Sequence, residues 1–586
     1  MQKNLNLKTF NYKLLIKLLT YASPYKYLFI GTIFISIFFG LLSTIRPILI
    51  QYAFDNFILN NDTIGLLNII IIIFFLLLIE SMLHFVFVYQ SNALSQKIIN
   101  NIRNEVFEKI LSFKLSYFDN TPTGQLITRV VSDMEAVASV FSQGLLVVFG
   151  DFFKISLIII CMMIMNFKLA LISLLFLPFL IFSTILFQKY MQKAFVDVRK
   201  YISKINVFVY EHIIGISIVQ IFGREKAIFN RFNKLNTLHR DAHIKTVLYF
   251  SIFLPIVDVC SAIAMGLLVW YGSIQAVINS TVTVGEIIAF ILFINMLFRP
   301  LRGIADRFNI LQMGMVAAHR VFEITKNTLN TEKYHNDKLI EKLVSGSIVF
   351  NNVSFSYKID EPVLENIDFE INKDQTLAII GPTGSGKTTI INLLMKWYDL
   401  SNGHIYVSGQ DIKSIPINTL RHNIGVVLQD TFFLADTLMN NIKFFNNISD
   451  NDVYKAVQDI GLQDFIDKFP SKYNYRIGER GAGLSEGEKQ LISFLRTYLL
   501  NPTYLILDEA TSSLDPRTEF LIQKSIKKIT QKRTSIIIAH RLSTIKYADK
   551  IIVLENGKII ESGDHNELIH LNGKYANYYY QQFLAN

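Results

Sequence analysis

Cysteine is nearly absent: the 586 residues hold two, Cys161 and Cys260, and both fall inside apolar segments. A disulfide framework and a cysteine-built metal site are thereby excluded. Charge is scarce as well, at 18% Asp, Glu, Lys and Arg against 51% hydrophobic residues, with a mean hydropathy of +0.35. That balance is too apolar for a soluble protein of this length. The net charge of +10 comes without any basic surface interleaved with aromatics, so no nucleic-acid partner is implied. The cations cluster beside apolar runs, where membrane topology accounts for them.

The apolar excess is uneven. Runs such as Leu66–Ile79 and Ile155–Met165 crowd the first three hundred residues, whereas Ser345–Asn586 reads as a soluble α/β domain. Six membrane spans are predicted, at about 25–52, 65–90, 138–165, 167–190, 246–275 and 285–311, since roughly 20 apolar residues cross a bilayer. The first is too long for a signal peptide and is read as a retained span. Ahead of it, residues 9–22 place apolar and basic residues on opposite helical faces, as a helix on the cytoplasmic membrane surface does.

Connections 53–64 and 274–284 contain no Lys or Arg, and the turn near 166–168 has only Lys168. The connections 91–137 and 189–245 carry many, including Lys97, Arg103, Lys109, Arg129, Arg199 and Arg224. Both termini are therefore expected in the cytoplasm. Ser91–Lys114 and Phe195–Phe222 keep a helical period, which extends helices below the membrane.

Hydrophobicity drops abruptly at 326–345, read as a linker between a membrane domain at 1–325 and a nucleotide-binding domain at 346–586. In the latter, Ser347–Tyr357 and Pro362–Ile371 read as antiparallel strands, followed by strands at Leu377–Ile380, Ile424–Leu428, Tyr504–Leu507 and Ser535–Ile538 that alternate with helices. The first of these runs into Gly381, Pro382, Thr383, Gly384, Ser385, Gly386, Lys387, Thr388 and Thr389, and a helix pattern begins at Ile390. This is a phosphate-binding loop. Its glycines let backbone N–H groups turn in around phosphate oxygens while the helix aims its positive end at them. Lys387 would neutralise the β and γ phosphates of ATP, and the Thr388 hydroxyl would take a Mg²⁺ position.

Other strand ends carry candidate chemistry. Tyr504–Glu509 is an apolar strand ending in two acids: Asp508 would hold Mg²⁺ and Glu509 would polarise the attacking water. Gln429 and His540 end two further strands, where ligands of open α/β sheets bind.

The set Tyr357, Gly381–Thr389, Gln429, Leu484–Glu488, Asp508–Glu509, Ser512–Asp515 and His540 resembles the ATP-binding-cassette family in its full motif order. Six spans ahead of it on one chain resemble an exporter-type half-transporter, so the implied fold is a six-helix transmembrane domain followed by an α/β P-loop ATPase domain. The resemblance implies that Tyr357 stacks on adenine, that Gln429 joins the metal site and couples ATP to the membrane domain, and that His540 contacts the γ-phosphate. Ser485 and Gly487 of the signature loop would meet ATP held by a second half-transporter, with Asp515 exchanged across that dimer. Gly478–Gly481 is similar to an exporter-specific loop, and Tyr117–Asp133 to the family's first cytoplasmic coupling element. The signature departs from LSGGQ: Glu486 and Glu488 put two carboxylates near a polyanion, which weakens a site and leans towards a mixed dimer.

The implied function is ATP-driven export of lipids or amphipathic, drug-like compounds across an inner membrane, with membrane lipids and a hydrophobic substrate as partners. Fusion and Gly478–Gly481 argue against an importer, and intact Glu509 and His540 against a non-hydrolysing channel or regulator. About two dozen residues before the first span are too few for a leader protease. Within the spans, Glu80 with His84, Asp151 with Lys154, Asp258, and Arg299 with Arg302 are costly to bury; they form interhelix ion pairs or face a cavity. Asp258 has no basic residue a turn away and is expected to serve transport. Pro47, Pro178 and Pro255 are candidates for kinks.

Overall fold

The computed structural model describes residues 12–279, 282–327, 342–358, 361–429, 431–508, 516–538, 545–546 and 548–584. The chain divides into two compact units, Met1–Leu111 with Thr123–Asn327, and Ser112–Pro122 with Thr328–Asn586. Most of the linker expected at 326–345 lies outside the described residues.

Among the described residues of the first unit six helices are long and apolar enough to cross a membrane: Ser23–Ile58, Thr63–Leu111, Thr123–Met165, Phe167–Ile214, Glu225–Val277 and Val284–Lys326. The second is continuous for 49 residues. At about 1.5 Å per residue it is more than twice as long as a hydrocarbon core of about 30 Å is thick. Its two halves differ in what they bury. Ile70, Phe74, Phe75, Leu78 and Phe85 point outward, while Leu94, Ile98, Ile102 and Val106 further along are buried against neighbouring helices. The first half carries an apolar coat suited to lipid, and the second is an amphipathic helix that needs a protein partner.

Two expectations are modified. The helix Tyr12–Thr20 is not left to a membrane surface alone: Leu18 is buried, Tyr21 stacks on Phe322 at 5.6 Å, and the Lys17 ammonium lies 4.1 Å over the same ring. Pro178 does not kink a helix but stands in the first turn of Leu177–Ile214, where its missing N–H costs nothing. Pro47 and Pro255 do lie inside helices, as does Pro300.

The second unit contains ten strands among its described residues: β1 (Ile348–Lys358), β2 (Glu361–Ile371), β3 (Thr376–Ile380), β4 (Asn402–Val407), β5 (Gln410–Asp411), β6 (Ile424–Val427), β7 (Tyr504–Asp508), β8 (Thr534–Ile538), β9 (Lys550–Glu555) and β10 (Lys558–Gly563). One antiparallel sheet runs β2-β1-β4-β5, and a six-stranded sheet runs β10-β9-β3-β8-β7-β6 with its central pairs parallel. Every residue of β7 and β8 is buried, as expected of central parallel strands covered on both faces. Side-chain alternation splits them between two cores. Leu377, Ile379, Tyr504, Ile506, Ile536 and Ile538 pack with the antiparallel sheet, while Ala378, Ile380, Leu505, Leu507 and Ile537 pack under the helices of the opposite face. Fully burying each such aliphatic side chain contributes about 1.5–3 kcal/mol. The register brings Asp508 beside Ile538, and Ile538 beside Ile379, so the carboxyl ends of β3, β7 and β8 lie side by side.

Candidate functional site

At that edge the chain leaves β3 through three glycines with left-handed backbone, Gly381 (φ 154°), Gly384 (φ 84°) and Gly386 (φ 102°). A Cβ on Gly381 would stand 2.1 Å from the Leu554 carbonyl oxygen, and one on Gly386 2.6 Å from a Leu364 methyl. Both positions therefore need glycine for space as well as for φ. The helix Lys387–Leu394 follows, and the Lys387 ammonium donates to the Gly381 and Pro382 carbonyls at 2.8 and 2.9 Å. Burial pushes the Lys387 pKa down and the Asp508 pKa up, each opposed by the charge of the other. The Ser385 hydroxyl is buried with no hydrogen-bond partner in the loop.

A cavity of about 440 Å³ opens over this loop, lined by Tyr357, Val363, Thr383, Gly384, Gly386, Lys387, Thr388, Thr389, Gln429, Asp508 and Ile538. It gathers Tyr357, Thr383, Gly384, Gly386, Lys387, Thr388 and Thr389 of the expected nucleotide set and Thr388, Gln429 and Asp508 of the metal set, whereas Gly381, Pro382, Ser385, Ser485 and Gly487 do not line it. The hydroxyl of Thr388, the amide oxygen of Gln429 and the carboxylate of Asp508 are hard oxygen donors of the kind Mg²⁺ prefers. Bound there with ATP, the ion would neutralise charge between the outer phosphates. Glu509, Ser512–Asp515 and His540 lie outside the described residues.

Tyr357 is held by its edge rather than its face. Asn392 donates to its hydroxyl at 2.8 Å, its oxygen lies 3.2 Å from the Thr389 hydroxyl, and Tyr398 meets it edge-on at 5.0 Å. Nothing in the sequence around Tyr398 marks it as part of this site. Its hydroxyl donates to Asp119, a neighbour of Tyr117 in the segment Ser112–Pro122, and burial together with that bond raises its pKa. Lys114 of the same segment pairs with Asp399 at 2.6 Å. The only local signal was a polar turn after an apolar helix, which names no partner.

The altered signature is arranged differently from its sequence-based reading. Ser485 caps the helix Glu486–Leu499: its hydroxyl accepts from the Glu488 N–H at 3.3 Å, while the Glu488 carboxylate accepts from the Ser485 N–H at 2.9 Å. This is a reciprocal capping box. Glu486 is paired with Lys489 at 2.8 Å. Both carboxylates are thus spent on their own helix.

In the membrane unit, Glu80 pairs with Arg46 at 3.3 Å and Asp151 with Arg307 at 3.2 Å. His84 packs against the Phe39 ring at 5.3 Å, and the Lys154 ammonium sits 5.2 Å over the same ring. Asp258 is engaged by another group of the protein. The thiols of Cys161 and Cys260 are free.

Residues 28–301 match the ABC transporter transmembrane region, and 364–512 match the family described as ABC transporter. The ABC transporter ATP-binding protein YknV of Bacillus subtilis is 34% identical over 572 residues, covering 97% of this chain and 94% of that one. The chain belongs to the ABC transporter family. YgaD of Bacillus subtilis, whose name describes multidrug export, is 32% identical to this transporter over 568 residues, 95% of this chain and 97% of the other. The transporter also superposes on a bacterial Atm1-family ABC exporter with ATP bound, at a TM-score of 0.80 and 26% identity, over 95% of this chain and 98% of that one. It is a multi-pass integral membrane ATPase of the exporter type, whose ATP hydrolysis is coupled to transport.

Proposed function

We propose that the transporter works as a dimer of half-transporters that exports lipids or amphipathic, drug-like compounds across an inner membrane, with both termini and the ATPase unit in the cytoplasm. ATP lies on the Gly381–Thr389 loop of one half under the Ser485–Gly487 segment of the other. Lys387 binds the outer phosphates, Asp508 with Thr388 and Gln429 holds Mg²⁺, Glu509 acts as general base and His540 contacts the γ-phosphate. The single observation that carries the reading is the convergence of Lys387, Thr388, Gln429 and Asp508 on one cavity beside the buried, unpartnered Ser385 hydroxyl. The name of YgaD supports drug-like cargo.

A homodimer is favoured over a mixed one, because the Glu486 charge is paired with Lys489 and the Glu488 carboxylate is turned back onto the Ser485 N–H of its own helix end. The test is Glu509→Gln in lipid. ATP binding is expected to persist while turnover falls by about 10²–10⁴, the usual worth of a general base. Turnover within about threefold of the parent would refute the assignment.

A further inference from the structure

The helices Lys26–Ala53, Thr63–Leu111, Leu146–Met165 and Val284–Lys326 bring six ionisable side chains together inside the membrane unit: Arg46, Glu80, Asp151, Lys154, Arg299 and Arg307. The first and third of these helices approach closely. A Cβ on Gly150 would stand 2.3 Å from the Ser36 hydroxyl, and one on Gly40 3.8 Å from the Lys154 Cα. Small residues at such a crossing let backbones meet, and here they set the Lys154 side chain into the cluster.

Depth follows from helix rise. At about 1.5 Å per residue, Arg46, Glu80, Asp151, Lys154 and Arg299 fall roughly 17–26 Å from Ile58, Thr63, Met165 and Val284, the helix ends whose connections carry at most one Lys or Arg, which places them between the middle and the far face of a hydrocarbon core of about 30 Å.

The charges do not balance. Glu80 is matched by Arg46 and Asp151 by Arg307. Lys154 lies within electrostatic reach of Glu80, Asp151, Arg46 and Arg299, yet it and Arg299 have no carboxylate of their own among the described residues. Asp258 stands on Glu225–Ile274, which packs chiefly on the Leu177–Ile214 and Val284–Lys326 helices, and it is already engaged. Two surplus cations at this depth are costly unless they face water or an anion. Arg299 is exposed on its helix, and Lys154 has an aromatic face, Phe39, beside it.

We propose that this layer recognises the cargo, and that the cargo is an amphiphile with an anionic head group, a phosphate or carboxylate, which Lys154 and Arg299 neutralise while its apolar part lies along aromatic and aliphatic side chains. The proposal rests on the exporter reading above and narrows its cargo from amphipathic compounds in general to anionic ones. Lys154 and Arg299 act by charge complementarity, so their effect falls on selectivity between cargos.

The experiment uses the full chain in inverted phosphatidylcholine proteoliposomes, with ATP-dependent movement of four probes: fluorescent phosphatidylglycerol, a fluorescent dodecanoate, fluorescent phosphatidylcholine and the cationic dye rhodamine 6G. The parent is expected to move the anionic probes at least about fivefold faster than the neutral and cationic ones. Lys154→Gln and Arg299→Gln should shrink that ratio, Lys154→Arg should keep it, and Lys154→Glu should turn it towards rhodamine 6G. Movement of both anions identifies the head group as what is read, and movement of phosphatidylglycerol alone makes the source a lipid. Equal rates for all four probes, or an anion preference untouched in Lys154→Gln, overturn the proposal and leave the exporter reading standing. ATP-dependent movement of none of them, with ATPase running, overturns the exporter reading of the cargo as well. Fluorescence anisotropy of probe binding in nanodiscs reports the same preference for any variant too slow to transport.

Discussion

Glu488 shows how one side chain's orientation decides a functional argument. A carboxylate two residues beyond a helix start repels a triphosphate if it points forward, but here it turns back onto the Ser485 N–H. The Ser485 hydroxyl accepts from the Glu488 N–H and keeps its own proton to donate, so this end of the helix gains order. Glutamine fits the same box. Glu488→Gln is therefore expected to leave ATPase within about twofold and the melting temperature unchanged, whereas Glu488→Ala should cost about 1 kcal/mol by unmaking the cap. Calorimetry and steady-state ATPase check both. A tenfold rise in Glu488→Gln would mean that the charge faces the nucleotide after all.

Between elements, the contact of interest runs from the loop-following helix to the segment Ser112–Pro122. Thr389 and Asn392 hold the Tyr357 hydroxyl, Tyr357 meets Tyr398, and Tyr398 donates to Asp119. Phe355 supports both rings from one side, at 4.8 and 5.8 Å. A ring stacked on Tyr357 would press on this train of aromatic contacts, and the hydrogen bond at its end is the link to Ser112–Pro122. Tyr398→Phe keeps the ring and removes only that bond, worth about 0.5–1.5 kcal/mol. The expected result is ATPase that continues while cargo moved per ATP falls, measured side by side in proteoliposomes. An unchanged ratio would reduce Tyr398 to packing.

At the scale of the molecule, each ATP site of the proposed homodimer would take its loop from one half and its signature from the other, so activity would depend on pairs. Mixing parent chains with equal amounts of Lys387→Ala before reconstitution tests this. If both sites must be competent, ATPase should fall to about a quarter rather than a half, since only parent–parent pairs remain active. A linear decline would mean that the halves hydrolyse independently.

Periodic and contiguous signals were legible in the chain. Six apolar runs gave six long helices because a segment without polar groups satisfies its backbone internally whatever its neighbours do. The strands β3, β6, β7 and β8 read from apolar runs bounded by turn residues, and Gly381–Thr389 from its glycines and lysine, because strand, loop and helix there are consecutive in sequence. The capping box was equally local, Ser485 and Glu488 being three apart, but the choice between capping and facing a phosphate belongs to the folded helix end. What tertiary structure alone decided was partnership across distance. Glu80 finds Arg46 rather than His84, Asp151 finds Arg307 rather than Lys154, and Tyr398 finds Asp119 across 279 positions. A sequence ranks neighbours by spacing along one helix, whereas a buried charge takes whichever counter-charge helix packing brings within reach. For that reason the surplus of Lys154 and Arg299 came into view only once the helices were packed.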